Sequence, residues 1–169
     1  NIKSIILMNY SSKFLDFNYW CQQLLSESLG KKRMGLIPII SQTPKDHHSL
    51  LQLYLDGPKD KIFYIFSSEE PSSNKIINNY FGPSFDFLKN KRLNNIIVAQ
   101  KNALISILVK KNIPFREFKV KSFSETAIGE LFSYFMLETI MLGKAINVDP
   151  FDQPAVELLK IATKKNLIS

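Results

Sequence analysis

Gln23 and Glu27, one helical turn apart in the stretch QQLLSESLGK, are the first residues in the chain whose types and spacing suit chemistry. A carboxylate is a group that can both accept and give a proton. An apolar repeat at Phe14, Phe17, Cys21, Leu24 and Ser28 runs through the same segment at helical spacing. Taking about 100° per residue, Glu27 lies about 60° round from Leu24, which predicts a carboxylate fixed and partly desolvated at the edge of the buried face. The plainer alternative is a helix-edge amide and a Glu27–Lys31 ion pair at i,i+4.

Three further places hold polar groups that packing does not require. The only two histidines, His47 and His48, are adjacent in SQTPKDHHSLLQLYLDGP, at the start of a predicted helix. They point about 100° apart and cannot share a ligand face, and the single Cys21 lies elsewhere, so no metal site is expected. Ser41 and Thr43 offer hydroxyls either to a phosphate at that helix start or as caps. In VDPFDQPAVELLK, Gln153 and Lys160 stand two turns apart on one helical face, with Asp152 or Gln153 as cap and Pro154 in the first turn. Lys160 taken singly is a solvated lysine. Glu138, beside Thr139 in the apolar run FSYFMLETIMLGK, would need a partner if buried.

The elements that must position these groups alternate between strand and helix. Residues 5–8, 36–41, 62–66 and 113–120 read as strands, and Pro38 argues for an edge position or a late start for the second of them. Helical patterns cover residues 12–30, 45–55, 94–111, 122–146 and 153–165, with Ser122 and Glu125 at capping-box spacing. Residues 67–82 are polar and aperiodic and read as a long loop. This pattern predicts an α/β fold, a parallel sheet of about five strands sandwiched by helices, with ligands beyond the carboxyl ends of the strands.

Composition narrows the function. The 169 residues form one domain, 45% hydrophobic and 22% charged, with a core to bury. No apolar run approaches the roughly 18 residues of a membrane span, so no membrane partner is expected. One cysteine forms no internal disulfide, and a cytoplasmic setting is expected. The net charge is +7, but the basic clusters fall at the ends of predicted elements without interleaved aromatic residues. That arrangement argues for solvated surface rather than a nucleic-acid partner, and it suits attraction of phosphorylated small molecules. GxGxxG and GxxxxGK[ST] are absent, so nucleotide-binding loops are excluded. The chain opens on Asn1 rather than methionine, as a piece of a longer polypeptide would.

Taken together, FLDFNYWCQQLLSESLGK, TPKDHHSLLQLYLDGP and LFSYFMLETIMLGKAINVDPFDQPAVELLK, in that order and spacing, resemble the carboxyl-terminal half of the glucose-6-phosphate isomerase family. The resemblance runs from about residue 8 to 160, and residues 67–93 carry none of its motifs. It implies that residues 1–169 are a single SIS (sugar isomerase) domain, the second of two in the family's enzymes. These interconvert glucose 6-phosphate and fructose 6-phosphate in glycolysis and gluconeogenesis, without metal or organic cofactor. By resemblance Glu27 moves the proton between C2 and C1 through a cis-enediol. His48 and Lys160 assist ring opening, and Gln23 and Gln153 bind substrate. The family is dimeric, and its histidine reaches the neighbouring subunit's site. His47 departs from the glutamine common at that place. The family's phosphate-binding serines and threonines and its Gly-Gly-Arg arginine belong to the amino-terminal half, and no Gly-Gly-Arg occurs here. The chain alone is therefore expected to be inactive. The alternative is a stand-alone sugar-phosphate-binding SIS module, a sensor or partner protein without catalysis.

Overall fold

The computed structural model describes residues 2–70, 75–77 and 82–168. Four parallel strands, β1 (Ser4–Asn9), β2 (Ile37–Gln42), β3 (Lys61–Ser68) and β4 (Phe115–Val120), form one sheet in the order β2-β1-β3-β4. The count among the described residues is four rather than the five expected. Between them run α1 (Leu15–Leu29), the short α2 (Lys45–Ser49) and α3 (Leu51–Asp56), and α4 (Leu93–Lys110). After β4 come α5 (Glu125–Ala145) and α6 (Pro154–Ile168). Part of the long loop expected over 67–82 falls on residues 71–74 and 78–81, outside the described residues.

The strand sequences explain the layers. SIILMN of β1 is a continuous apolar run with Ile5 to Met8 at most 1% exposed, as a central strand covered on both faces must be. Successive side chains alternate between two cores. Ile5, Leu7, Tyr64 and Phe66 pack with Phe14, Phe17, Cys21 and Leu25 of the α1 segment and Phe135 of α5. Ile6, Met8, Phe63 and Ile65 pack with Tyr54 of α3 and Leu104 and Leu108 of α4. The result is a three-layer sandwich. Pro38, lacking an N–H, sits in edge strand β2 as expected, and its carbonyl accepts from Gln22 Nε2 at 2.9 Å.

Local chemistry moved several boundaries. The helix expected over 45–55 breaks at Leu50 into α2 and α3. The cap of α5 is Ser124, whose hydroxyl accepts the Ala127 N–H at 3.2 Å, rather than Ser122. Glu138 is partnered through one oxygen: Tyr64 donates to Oε1 at 3.1 Å and Arg116 forms an ion pair with it, while the buried Oε2 has no hydrogen-bond partner among the described residues. Burial, and next the Glu138 charge, hold the Tyr64 pKa above the ordinary phenol value.

The end of α5 carries most weight for the site. Asn147 takes the left-handed conformation (φ 57°), Val148 N–H bonds to Gly143 O at 2.9 Å and Asn147 N–H to Lys144 O at 3.2 Å. This Schellman closure turns the chain back over its own last turn. Pro150 then packs where a side chain at Gly143 would sit, its ring 3.3 Å from that position. The sequence DPFDQ is thereby delivered to a defined place.

Phe66 is fully buried, with the rings of Phe14, Phe17, Phe118 and Phe135 centred 5.1–5.9 Å from its own. Phe66→Ala is expected to cost about 3–5 kcal/mol in urea unfolding. Phe151→Ala, at a ring 79% exposed, should change stability by less than about 0.5 kcal/mol.

Candidate functional site

Helix α1 leaves the carboxyl end of β1 and returns to the amino end of β2, so Glu27, near its end, stands at the amino end of the sheet. Its two oxygens are held by two amides: Gln23 Nε2 donates to Oε1 at 3.1 Å and Gln153 Nε2 to Oε2 at 2.9 Å. The first amide is on the same helix and the second comes from the turn before α6. These three residues are the part of the expected set that the structure brings together.

Half-burial of Glu27 has a different cause from the one its spacing suggested. The stripe that faces the core contains Phe17, Cys21, Leu25 and Ser28, with Leu25 rather than Leu24 fully buried. Glu27 lies about 160° round from Leu25, on the far side of the helix. It is covered there by the segment 149–153 folding over it. Together they line a cleft of about 540 Å³, whose walls are Ser26, Glu27 and Gly30 on one side and Gln153, Pro154 and Val156 on the other.

The Glu27–Lys31 pair is not formed. Lys31, its side chain 8% exposed, instead reaches Asp152 Oδ1 at 2.8 Å and donates to the Asp149 carbonyl. Lys32 donates to the Asn147 carbonyl at 3.2 Å. Sequence reading missed Lys31 and Asp152 as site residues because the pairing spans more than a hundred residues. The one local signal is a lysine directly after Gly30, where the helix has already ended.

His48 lies exposed on α2 beyond the carboxyl end of β2, the opposite end of the sheet from Glu27. Twelve residues of α1 separate its first residue from Glu27, about 18 Å of helix. Lys160 is two turns along α6, exposed, and paired with Glu157 at 2.6 Å. Neither residue joins the Glu27 cleft within this chain. Ser41 and Thr43 neither cap α2 nor stand free for a phosphate. Ser41 donates to Asp46 at 3.0 Å and Thr43 to the Asn9 carbonyl at 2.6 Å.

A second cavity of about 260 Å³ opens at the carboxyl ends of β1 and β3, where the sheet order reverses and ligands were expected. Its cations already have carboxylate partners: Lys101 with Glu117, and Lys119 with Glu69 at 2.7 Å. The open carboxylate with oriented amides is at the other end.

A three-layer α/β domain with a carboxylate fixed by two amides is the class that fold and cleft define. No protein-family model matches the chain. The glucose-6-phosphate isomerase of Campylobacter jejuni is 34% identical over 169 residues, spanning 97% of this chain and 42% of that protein. That of Methanocaldococcus jannaschii is 33% identical over 152 residues, 90% of this chain and 37% of the relative. The crystal structure of a hypothetical protein from Thermus thermophilus superposes over 99% of this chain and 42% of its own, with a TM-score of 0.89 at 30% identity. A glucose-6-phosphate isomerase from Chlamydia trachomatis superposes with a TM-score of 0.79 at 17% identity, which speaks to the fold alone. Over the region it spans, the chain is similar to proteins named glucose-6-phosphate isomerase, as a partial, carboxyl-terminal-type fragment of them. It covers about two fifths of the length of these relatives. Among the described residues no helix is long and apolar enough to cross a membrane.

His47, whose meaning the sequence left open, has a structural partner. Its Nε2 and the buried Tyr10 hydroxyl share a 2.6 Å hydrogen bond, tying α2 to the end of β1. Burial lowers the His47 pKa from its ordinary 6.5, with Asp46 offsetting part of the shift. The unfolded chain therefore takes up this proton first, so stability is full above about pH 6.5 and falls as the pH drops below it. His47→Gln keeps a side chain able to bond Tyr10 and removes the titration. Its melting temperature should fall less than the parent's between about pH 6.5 and 5.

Proposed function

We propose that the chain is the carboxylate-bearing SIS domain of a sugar-phosphate isomerase that interconverts glucose 6-phosphate and fructose 6-phosphate. The observation that carries this reading is Glu27, held through both oxygens by Gln23 and Gln153 in an open cleft. In the proposed reaction the ring opens first, with His48 exchanging the proton of the anomeric hydroxyl and Lys160 acting at the ring oxygen. Glu27 then removes the proton from C2 of the aldose, and the electrons of that bond form the C1–C2 double bond of a cis-enediol. The carbonyl oxygen at C1 takes a proton, the C2 hydroxyl gives one up, and Glu27 returns its proton to C1. Atoms balance with no electrons leaving the sugar. Neutral amides suit this role because they fix the carboxylate without the full countercharge that would weaken it as a base.

The placement of His48 and Glu27 at opposite ends of one sheet supports a homodimer in which His48 serves the neighbouring copy's cleft. The short coverage of the relatives supports an amino-terminal half that supplies the phosphate grip and the charged stabiliser of the enediolate. Alone, the chain lacks both and is expected to turn over no substrate. Leu158, Leu159 and Ile161 of α6, each at least 65% exposed, are consistent with a further part of the protein lying against that helix.

In the full-length protein, Glu27→Gln should lower kcat by about 10²–10⁴-fold with melting temperature unchanged, and the isolated chain should be silent in the same coupled assay. A Glu27→Gln protein at parent rate would overturn the role of Glu27. Glu27→Gln and His48→Ala subunits, each inactive, should recover up to about a quarter of parent activity when unfolded and refolded together, because half of the mixed dimer's sites are intact. Absence of recovery from a mixture shown to form heterodimers would place both residues in one subunit's site.

A further inference from the structure

We propose that Asp152 is a positioning residue for Glu27: by holding the Lys31 ammonium it keeps that cation off the carboxylate and seats Gln153 over it. The inference rests on the isomerase reading above and concerns a residue to which that reading gives no role. Glu27 and Lys31 stand at the i,i+4 spacing, glutamate first, at which such pairs normally form. Both line the same cleft. Yet the ammonium turns to Asp152 Oδ1 at 2.8 Å and the Asp149 carbonyl, while Glu27 receives only neutral donors.

The burial of the partners is unequal, 8% exposed for the lysine side chain and 56% for the aspartate. A buried ammonium must have an acceptor, so whichever carboxylate is nearest will take it. The charged groups lining the cleft are Glu27, Lys31 and Lys32 from the α1 end and Asp149 and Asp152 from the turn before α6. Lys32 is turned to the Asn147 carbonyl, and Asp149 Oδ1 accepts the Phe151 N–H at 2.9 Å. Among the described residues Asp152 is thus the carboxylate ion-paired with Lys31. Removing its charge leaves Lys31 the Asp149 carbonyl and two carboxylates lining the cleft, Asp149 and Glu27, of which Glu27 stands at the i,i+4 spacing. A carboxylate paired with an ammonium is a weaker base and ionises at lower pH. Asp152 also adjoins Gln153, so its tether to Lys31 and the Gln153–Glu27 bond fasten the same turn.

The test compares Asp152→Asn, Asp152→Glu and the double variant Asp152→Asn/Lys31→Gln in the full-length protein, by kcat and KM from about pH 5 to 9 alongside thermal unfolding. Asp152→Asn should lower kcat about tenfold, change KM less than about threefold and move the acid limb of the kcat profile down by about one pH unit. Asp152→Glu should retain the parent profile. Removing the cation in the double variant should return the acid limb to its parent position. Parent-like kcat and profile in Asp152→Asn would overturn the proposal. So would equal losses in the single and double variants with an unmoved acid limb, which would mean that the tether only stabilises the turn. Glu27→Gln measured beside them separates the two readings: if it is inactive while Asp152→Asn is normal, only the role of Asp152 falls.

Discussion

The hydrogen bond from Gln153 to Glu27 joins residues 126 apart and brings the last helix of the chain to its first. Every described residue of α6 is exposed, so the helix takes its place from the turn that precedes it rather than from a buried face. That turn is fastened by few groups: Gln153 on Glu27, Lys31 on Asp152 and the Asp149 carbonyl, and Lys32 on the Asn147 carbonyl. Upstream, the Schellman closure of α5 and the contact of Pro150 with Gly143 set the direction in which it starts. Lys160 rides on this helix, so any part it plays depends on the same handful of bonds.

Polar ties of this kind hold position better than they hold the fold together. Stability resides in the two apolar layers on either side of β1 and β3, where phenylalanines dominate one side. The cleft sits outside both layers, on the side of α1 turned away from the core. A carboxylate placed there keeps access to solvent while its helix is anchored by Phe17, Cys21 and Leu25 on the opposite face. Burial also pushes the Cys21 thiol pKa up, with a further push from Glu138, so that side chain acts as packing. Strand direction imposes the other constraint. In a parallel sheet every returning helix ends where the next strand begins, so a residue late in α1 and one at the start of α2 are separated by the sheet's own length.

Much of this was legible in the sequence. The apolar runs of β1 and β3, Pro38 on an edge, and the helical periods of α1, α4 and α5 follow from local patterning, and the motifs around Glu27 and Gln153 pointed to one family. What patterning could not supply was contact across distance. The stripe expected through Leu24 runs through Leu25, so Glu27, expected at the core's edge, lies on the far side of the helix and bonds to Gln153 far along the chain. Lys31 sat at ideal spacing from Glu27 and bonded elsewhere, because Gly30 ends the helix and the turn at 149–152 offers a carbonyl and a carboxylate. Ser41 and Thr43 carried the right hydroxyls for caps, but both are engaged with Asp46 and the Asn9 carbonyl. The break at Leu50 and the choice of Ser124 over Ser122 are of the same kind.

Under the proposed function the sugar belongs in the Glu27 cleft rather than in the crevice at the carboxyl ends of β1 and β3. The most direct measurement is a crystal structure of the full-length protein with glucose 6-phosphate bound. Carbons 1 and 2 of the sugar should lie against the Glu27 carboxylate, with Gln153 still donating to it and His48 of a neighbouring copy near the ring oxygen. Sugar seated among Ser67, Lys101 and Lys119, with the Glu27 cleft empty, would contradict that assignment.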